Sequence, residues 1–118
     1  MTKTINSKRY DLEERTYNFA VKVRNFVRRL PKTAANIEDG RQLIRSSGSV
    51  AANYIEANES LSKKDFSHRV KICRKEAKES RLWANLCDTQ GIQVLEKEKE
   101  EIVREATELI KIFTSIIE

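Results

Sequence analysis

The sequence predicts an all-α fold, an antiparallel up-down four-helix bundle, and three observations support this prediction. Apolar residues recur at helical spacing in four separate stretches of the 118-residue chain, without strand-like alternation. Glycine and proline are scarce, at 3 and 1 residues, while charged residues make up 35% of the chain, which is typical of charge-rich helices. The connections are short, which favours antiparallel neighbours. The length is that of one domain, residues 1–118.

The first helix is predicted at about 11–30. Its apolar residues share one face, and Pro31 then ends the helical pattern. The residues of this face are Leu12, Phe19, Ala20, Val23, Phe26, Val27 and Leu30.

The second helix, at about 36–59, combines a wide apolar arc with a run of small residues from Ser46 to Ala52. A wide arc requires more than one neighbour, and a glycine inside a helix costs about 1 kcal/mol relative to alanine. We therefore predict that Gly48, Ala51 and Ala52 form a packing seam where backbones approach closely. The arc consists of Ile37, Leu43, Ile44, Ser47, Val50, Ala51, Tyr54 and Ile55.

The third helix is predicted at about 63–89, with Ser62 as its N-cap and Asp65 three residues later. Cys73 and Cys87 both lie on its core stripe, about 21 Å apart at 1.5 Å per residue, so they cannot form a disulfide within this helix. We interpret both as reduced core residues. The stripe consists of Phe66, Val70, Cys73, Ala77, Ser80, Ala84 and Cys87.

The fourth helix is predicted at about 95–117, after a break at Thr89-Gln90-Gly91. Its apolar residues again follow helical spacing. They are Leu95, Ile102, Ala106, Leu109, Phe113 and Ile116, widened by Val103, Ile110 and Ile117.

Positive charge is concentrated in helices one and three. Eight positive and three negative residues lie within 63–81, and the same numbers lie within 8–32, whereas residues 96–118 hold four positive and seven negative ones. A joint patch requires helices one and three to be neighbours. Such a patch would bind phosphates, but a solvated face with Glu79 or Asp65 in local ion pairs explains the same residues. On helix three the flank consists of Lys63, Lys71, Arg74, Lys75, Lys78 and Arg81.

The opposite flank of helix three carries Ile72, Trp83 and Leu86, outside the core stripe. A second apolar face on a bundle helix indicates either unusually deep burial or a subunit interface, and we favour the interface because interfaces are rich in Trp. We therefore predict a homo-oligomer. We also predict one buried polar network between helices two and three, formed by Arg45, Asn53, Glu56, Glu76 and Glu79.

The motifs of common enzymes are missing from the sequence. His68, predicted to lie at the surface, is the single histidine, so Glu-x-x-His pairs for a di-iron site cannot form. There is no phosphate-binding glycine loop, nucleophile elbow or zinc-spaced cysteine pair. We therefore expect a non-enzymatic protein without a catalytic residue, metal or cofactor. The sequence also contains no apolar run of membrane-spanning length and no signal peptide, so we expect a cytoplasmic location.

Two long segments resemble the bacterial family of 23S rRNA intervening-sequence proteins, often called S23. The first is Gln42-Leu43-Ile44-Arg45-Ser46-Ser47-Gly48-Ser49-Val50-Ala51-Ala52-Asn53-Tyr54-Ile55-Glu56-Ala57. The second joins Lys63-Lys64-Asp65-Phe66 to Ile72-Cys73-Arg74-Lys75-Glu76-Ala77-Lys78-Glu79-Ser80. The resemblance covers nearly the whole chain.

This resemblance implies an antiparallel four-helix bundle that assembles into a ring, a homopentamer, and it implies no catalytic residue. It further implies a gene within, or related to those within, an insertion in a large-subunit rRNA gene. Proteins similar in fold are accessory subunits of retroelement reverse transcriptases, where a basic surface of the pentamer meets nucleic acid and polymerase.

Our leading hypothesis is an RNA-associated homo-oligomer that binds nucleic acid through phosphate contacts. The alternative is a scaffold that docks a polymerase or another nucleic-acid enzyme. The candidate phosphate contacts are Arg24, Arg28, Lys71, Arg74, Lys75, Lys78 and Arg81.

Overall fold

The computed structural model describes residues 2–118, with side chains from residue 12 onward. It contains four helices, α1 (Thr2–Arg29), α2 (Ala34–Asn58), α3 (Lys63–Leu86) and α4 (Gln93–Ile117), and no strand among the described residues. The all-α class and the number of helices are therefore confirmed. Helix α1 begins well before the predicted residue 11, because its polar first turns lack the apolar spacing by which the sequence reveals a buried helix face.

The helix ends follow from capping side chains and backbone angles. The hydroxyl of Ser62 accepts a hydrogen bond from the Asp65 backbone N–H at 3.1 Å, which confirms the predicted N-cap of α3. Helix α3 ends at Leu86, before the predicted residue 89, because Cys87 is already extended at φ −63° and ψ 134°. Gln90 and Gly91 have positive φ values of 54° and 75°, so this break is a true turn.

The predicted apolar stripes form one core. Phe26, Leu43 and Phe113 are fully buried within it. Ile37 and Ile55 were predicted to belong to the apolar arc of α2 that neighbouring helices cover. This is wrong for both residues, since they are 57% and 52% exposed. The apolar arc of α2 is wider than the strip that its neighbours cover, so these two residues remain at the margin.

Each helix packs against two neighbours. Helix α1 contacts α2 and α4, and α3 also contacts α2 and α4. No contact joins the described parts of α1 and α3, so these two helices lie diagonally across the bundle. The basic residues of α1 and α3 therefore cannot form the joint patch that adjacent helices would have allowed.

Of the two glycines of α2, Gly40 is the more tightly packed. A Cβ atom at Gly40 would lie 2.8 Å from the Val27 Cγ1 atom of α1. Ser46, inside the predicted run of small residues, is fully buried, and its hydroxyl lies 2.8 Å from that of Ser80 on α3. The run from Ser46 to Ala52 therefore does contribute a close contact, which Ser46 makes with α3.

The predicted seam at Gly48, Ala51 and Ala52 is therefore not the tight contact inside the bundle. A Cβ at Gly48 would meet only the Arg24 Nη2 atom at 3.4 Å, which is ordinary van der Waals contact with a flexible side chain. Ala51 is half-buried and Ala52 is exposed. Small side chains permit a close approach, but the rotation of α2 decides which of them meet a neighbour.

Both cysteines are buried and unpaired, as predicted. Burial raises the pKa of the Cys73 thiol to about 12 and that of the Cys87 thiol to about 11. Both therefore remain protonated at neutral pH and act as small apolar core residues. No helix in the described part of the chain is long and apolar enough to cross a membrane.

Candidate nucleic-acid interface

Five cations line one flank of α3, which we call the α3 basic face: Lys71, Arg74, Lys75, Lys78 and Arg81. The three lysines are exposed, while the two arginines are half-buried at the boundary with α4. None of these five side chains has an acidic partner within ion-pair distance among the described residues. No ion pair among the described residues therefore neutralises the positive charge of this face.

The two arginines are oriented by threonines of α4. The Arg81 Nη1 donates to the Thr107 hydroxyl at 3.2 Å, and the Arg74 Nη1 donates to the Thr114 hydroxyl at 3.4 Å. Neither threonine was predicted from the sequence, because nothing in a helical wheel of α4 alone shows which residues face α3.

The acidic residues of α3 do not neutralise this face. Glu79 pairs with Arg45 of α2 at 3.1 Å, and Glu76 approaches the same guanidinium at 3.6 Å. Asp65 forms no ion pair among the described residues, although its backbone N–H is bonded to the Ser62 hydroxyl. The local ion pairs that a merely solvated face would require are therefore not found in the described structure.

Three acidic residues of α4 instead pair with cations of α1. Arg15 binds Glu105 through two hydrogen bonds of 2.6 and 2.9 Å, and Lys22 pairs with Glu101 at 2.9 Å. A third pair joins Arg29 to Glu98. We call these three pairs the α1–α4 ladder. The ladder pairs three positive residues of α1 with three negative residues of α4, so these charges neutralise one another.

Arg24 and Arg28 lie apart from the other predicted phosphate contacts. Both are exposed on α1, where Arg24 donates to the Ala20 carbonyl at 3.2 Å and Arg28 to the Asn25 Oδ1 at 3.2 Å. Because α1 is diagonal to α3, the seven predicted residues do not form one surface. The structure brings together only the five on α3.

The predicted polar network divides into two clusters. Arg45, Glu76 and Glu79 form one, in which only Glu76 is buried. In the other, Arg69 pairs with Glu56 at 3.0 Å and donates to the Asn53 Oδ1 at 3.4 Å.

The prediction of one buried network is therefore wrong. Arg45 and Asn53 are eight residues apart on α2, which separates the clusters by about 12 Å at 1.5 Å per residue. Arg69 was not predicted as a member, although helical spacing places it on the same side of α3 as Asp65 and Glu76.

The second apolar flank of α3 is only partly covered. Trp83 is half-buried and packs against the chain's own core, and Ile72 is also half-buried. Leu86 is 51% exposed, and Leu82, four residues earlier and not predicted, is 50% exposed. On this flank the exposed apolar residue is therefore Leu86, because at 100° per residue Leu82 falls between Lys71 and Lys75 and so lies on the α3 basic face. His68 is exposed, as predicted.

Comparison with known proteins confirms the resemblance seen in the sequence. The family model described as 23S rRNA-intervening sequence protein matches residues 8–115. The chain is also similar to a crystal structure from Bacteroides thetaiotaomicron VPI-5482, of a protein with unknown function from the S23 ribosomal protein family. The two are 29% identical with a TM-score of 0.78, over 91% of this chain and 98% of that one. Among curated proteins, none matches the chain.

Proposed function

The chain belongs to the 23S rRNA-intervening sequence protein family, and from this premise we propose that it is a non-enzymatic, cytoplasmic protein that binds RNA through the α3 basic face. The proposal includes assembly of the bundle into a ring-like homo-oligomer. The family link supplies the class of nucleic acid, and the charge distribution supplies the surface.

One observation carries this proposal: the five cations of the α3 basic face have no acidic partner in the described structure, although acidic residues are plentiful in the chain. Glu76 and Glu79 pair across to α2, and Glu98, Glu101 and Glu105 pair across to α1. A face kept free of counter-charges in this way suits an anionic partner.

The chemistry of the face is that of phosphate contact. Lys71, Lys75 and Lys78 are exposed point charges, while Arg74 and Arg81 offer planar guanidinium groups to phosphate oxygens. Affinity then comes largely from the release of counterions and falls as salt rises.

Filter binding to structured rRNA fragments across a salt series tests the proposal. We expect the logarithm of affinity to fall linearly with the logarithm of salt concentration. The double variant Arg74→Glu with Lys78→Glu should bind much more weakly and with a shallower slope. A flat salt response, or an unchanged affinity of the variant, would contradict RNA binding by this face.

Assembly is proposed to use the second apolar flank of α3, on which Leu86 is 51% exposed beside Trp83. The up-down arrangement of the protomer is supported by the α1–α4 ladder, whose pairs ascend on α1 from Arg15 to Arg29 as they descend on α4.

Light scattering on Leu86→Glu tests this part of the proposal. A charge at the centre of an apolar contact should dissociate the oligomer while circular dichroism still shows full helicity. Trp83→Glu is a poorer test, since Trp83 packs against its own core. Leu61→Glu is the matched control, because Leu61 is 99% exposed in the turn between α2 and α3. An unchanged mass for Leu86→Glu would contradict the proposed interface.

A further inference from the structure

We propose that the α3 basic face holds the backbone of double-stranded RNA at two points, through two copies of one lysine, arginine and threonine unit. This inference rests on the proposed function and adds the class of RNA and the residues that orient the arginines. The first unit is Lys71, Arg74 and Thr114, and the second is Lys78, Arg81 and Thr107.

The two units repeat with the same spacing on both helices. In each unit the lysine precedes the arginine by three residues, and the arginines are seven residues apart on α3. The threonines are also seven residues apart, in the opposite order on α4, so each arginine has its own partner. Seven residues are about two helical turns, so the units face the same direction about 10.5 Å apart.

Each threonine is set up to orient an arginine. The Thr107 hydroxyl donates its proton to the Val103 carbonyl at 2.9 Å, and the Thr114 hydroxyl donates to the Ile110 carbonyl at 2.8 Å. The hydroxyl oxygens are therefore left as acceptors, and each takes one N–H of a guanidinium group. Since a guanidinium has five N–H donors, most donors of each arginine stay available to an incoming phosphate.

The spacing of the units suits the backbone of a regular helix. Double-stranded RNA is an A-form helix, in which base pairing fixes the positions of the phosphates along each strand. Both units are built on packed helices, which keep this spacing fixed. A rigid pair of contacts favours a strand whose phosphates are already held at fixed positions.

The face lacks what a single-strand binder needs. Proteins that bind single strands stack the bases on aromatic side chains, and the α3 basic face has none. Among the Phe, Tyr and Trp side chains of the described residues, Tyr17 alone is exposed, and it lies on the diagonal helix α1. Double-stranded RNA is instead recognised by its shape and by contacts to phosphate and 2′-hydroxyl groups, which cationic side chains supply.

Fluorescence anisotropy with a double-stranded RNA and a single strand of equal length tests the inference. We expect the wild-type protein to bind the duplex more tightly than the single strand. The variant Thr107→Val with Thr114→Val keeps every charge and nearly the same shape but removes both acceptors. Its affinity for the duplex should fall at least about fivefold, because two arginines that are no longer held in place must lose their rotamer freedom on binding.

The matched control is Thr107→Ser with Thr114→Ser, which keeps the hydroxyl groups and should bind nearly as the wild type does. Circular dichroism checks that both variants are folded. If the wild type binds neither RNA, the proposed function fails and the inference fails with it. Tighter or equal binding of the single strand overturns only the preference for duplex, and an unchanged affinity of the valine variant overturns the role of the threonines.

Discussion

Asn36 joins two loops at one end of the bundle. Its side-chain N–H groups donate to the Pro31 carbonyl at 3.0 Å and to the Asp88 carbonyl at 2.8 Å, and its Oδ1 accepts from the Asp88 backbone N–H at 2.9 Å. The residue is buried, since only 3% of its surface is exposed. One amide therefore satisfies backbone groups of the α1–α2 and α3–α4 connections, which holds the ends of the helix pairs together.

Replacing Asn36 with alanine should destabilise the protein by about 1–3 kcal/mol, because the Pro31 carbonyl and both backbone groups of Asp88 lose their hydrogen-bond partner. Urea denaturation followed by circular dichroism measures this change. Asn25→Ala is the control, since Asn25 is exposed and should change the free energy of unfolding by less than about 0.5 kcal/mol. Equal effects of the two variants would show that Asn36 does not act as a clamp.

Gly40 and Gly48 should respond in opposite directions to the same substitution. Gly40→Ala places a methyl group 2.8 Å from the stiff side chain of Val27 and should destabilise by about 1–2 kcal/mol. Gly48→Ala meets only the end of Arg24 at 3.4 Å and should stabilise by about 0.5–1 kcal/mol through better helix propensity.

Thermal denaturation of the two alanine variants gives the comparison directly. A lower melting temperature for Gly48→Ala than for Gly40→Ala would contradict the packing described for α2. The sequence alone predicted the close contact at Gly48, because Gly48 lies within a run of small residues. It could not identify Gly40, whose importance depends on the register between α1 and α2.

Between helices, the α1–α4 ladder shows which charged residues form pairs, and the number of charges on each helix does not show this. The positive excess of α1 and the negative excess of α4 were visible in the sequence, but their pairing depends on how each helix is rotated. Lys22 donates to Glu101, and this hydrogen bond lowers the pKa of the Glu101 carboxyl group below its usual value. The seam between these helices is therefore sensitive to pH and salt.

The sign of the pH effect follows from that lowered pKa. Ionised Glu101 is favoured in the folded state, so its contribution to stability is complete above the ordinary glutamate range and is lost as pH falls through the lowered pKa. Urea denaturation of the wild type and Glu101→Gln should therefore differ at neutral pH and converge in acid. The difference should also shrink at high salt.

Glu100→Gln is the matched control for this experiment. Glu100 is exposed and forms no ion pair among the described residues, so its replacement should have little effect at either pH. A difference between the wild type and Glu101→Gln that persists unchanged into acid would exclude the ion pair as its cause.

At the scale of the whole molecule, much of the fold was predictable and the single binding surface was not. Helical spacing indicated the four helices and most of the core, since those patterns are local. The diagonal placement of α1 and α3 is a property of the assembled bundle, and it separates Arg24 and Arg28 from the other candidates. The threonines that orient Arg74 and Arg81 were hidden for the same reason, because they belong to another helix.

RNA is proposed to bind the α3 basic face and not the basic residues of α1. The most direct measurement compares two variants with the same change in charge, Lys71→Glu with Lys78→Glu on α3 and Arg24→Glu with Arg28→Glu on α1. Affinity for double-stranded RNA is measured for each variant across a salt series. The α3 variant should bind far more weakly, and its salt slope should decrease by about one for each phosphate that is no longer neutralised, while the α1 variant stays close to the wild type. Equal decreases in affinity for the two variants, or a larger decrease for the α1 variant, would contradict the claim.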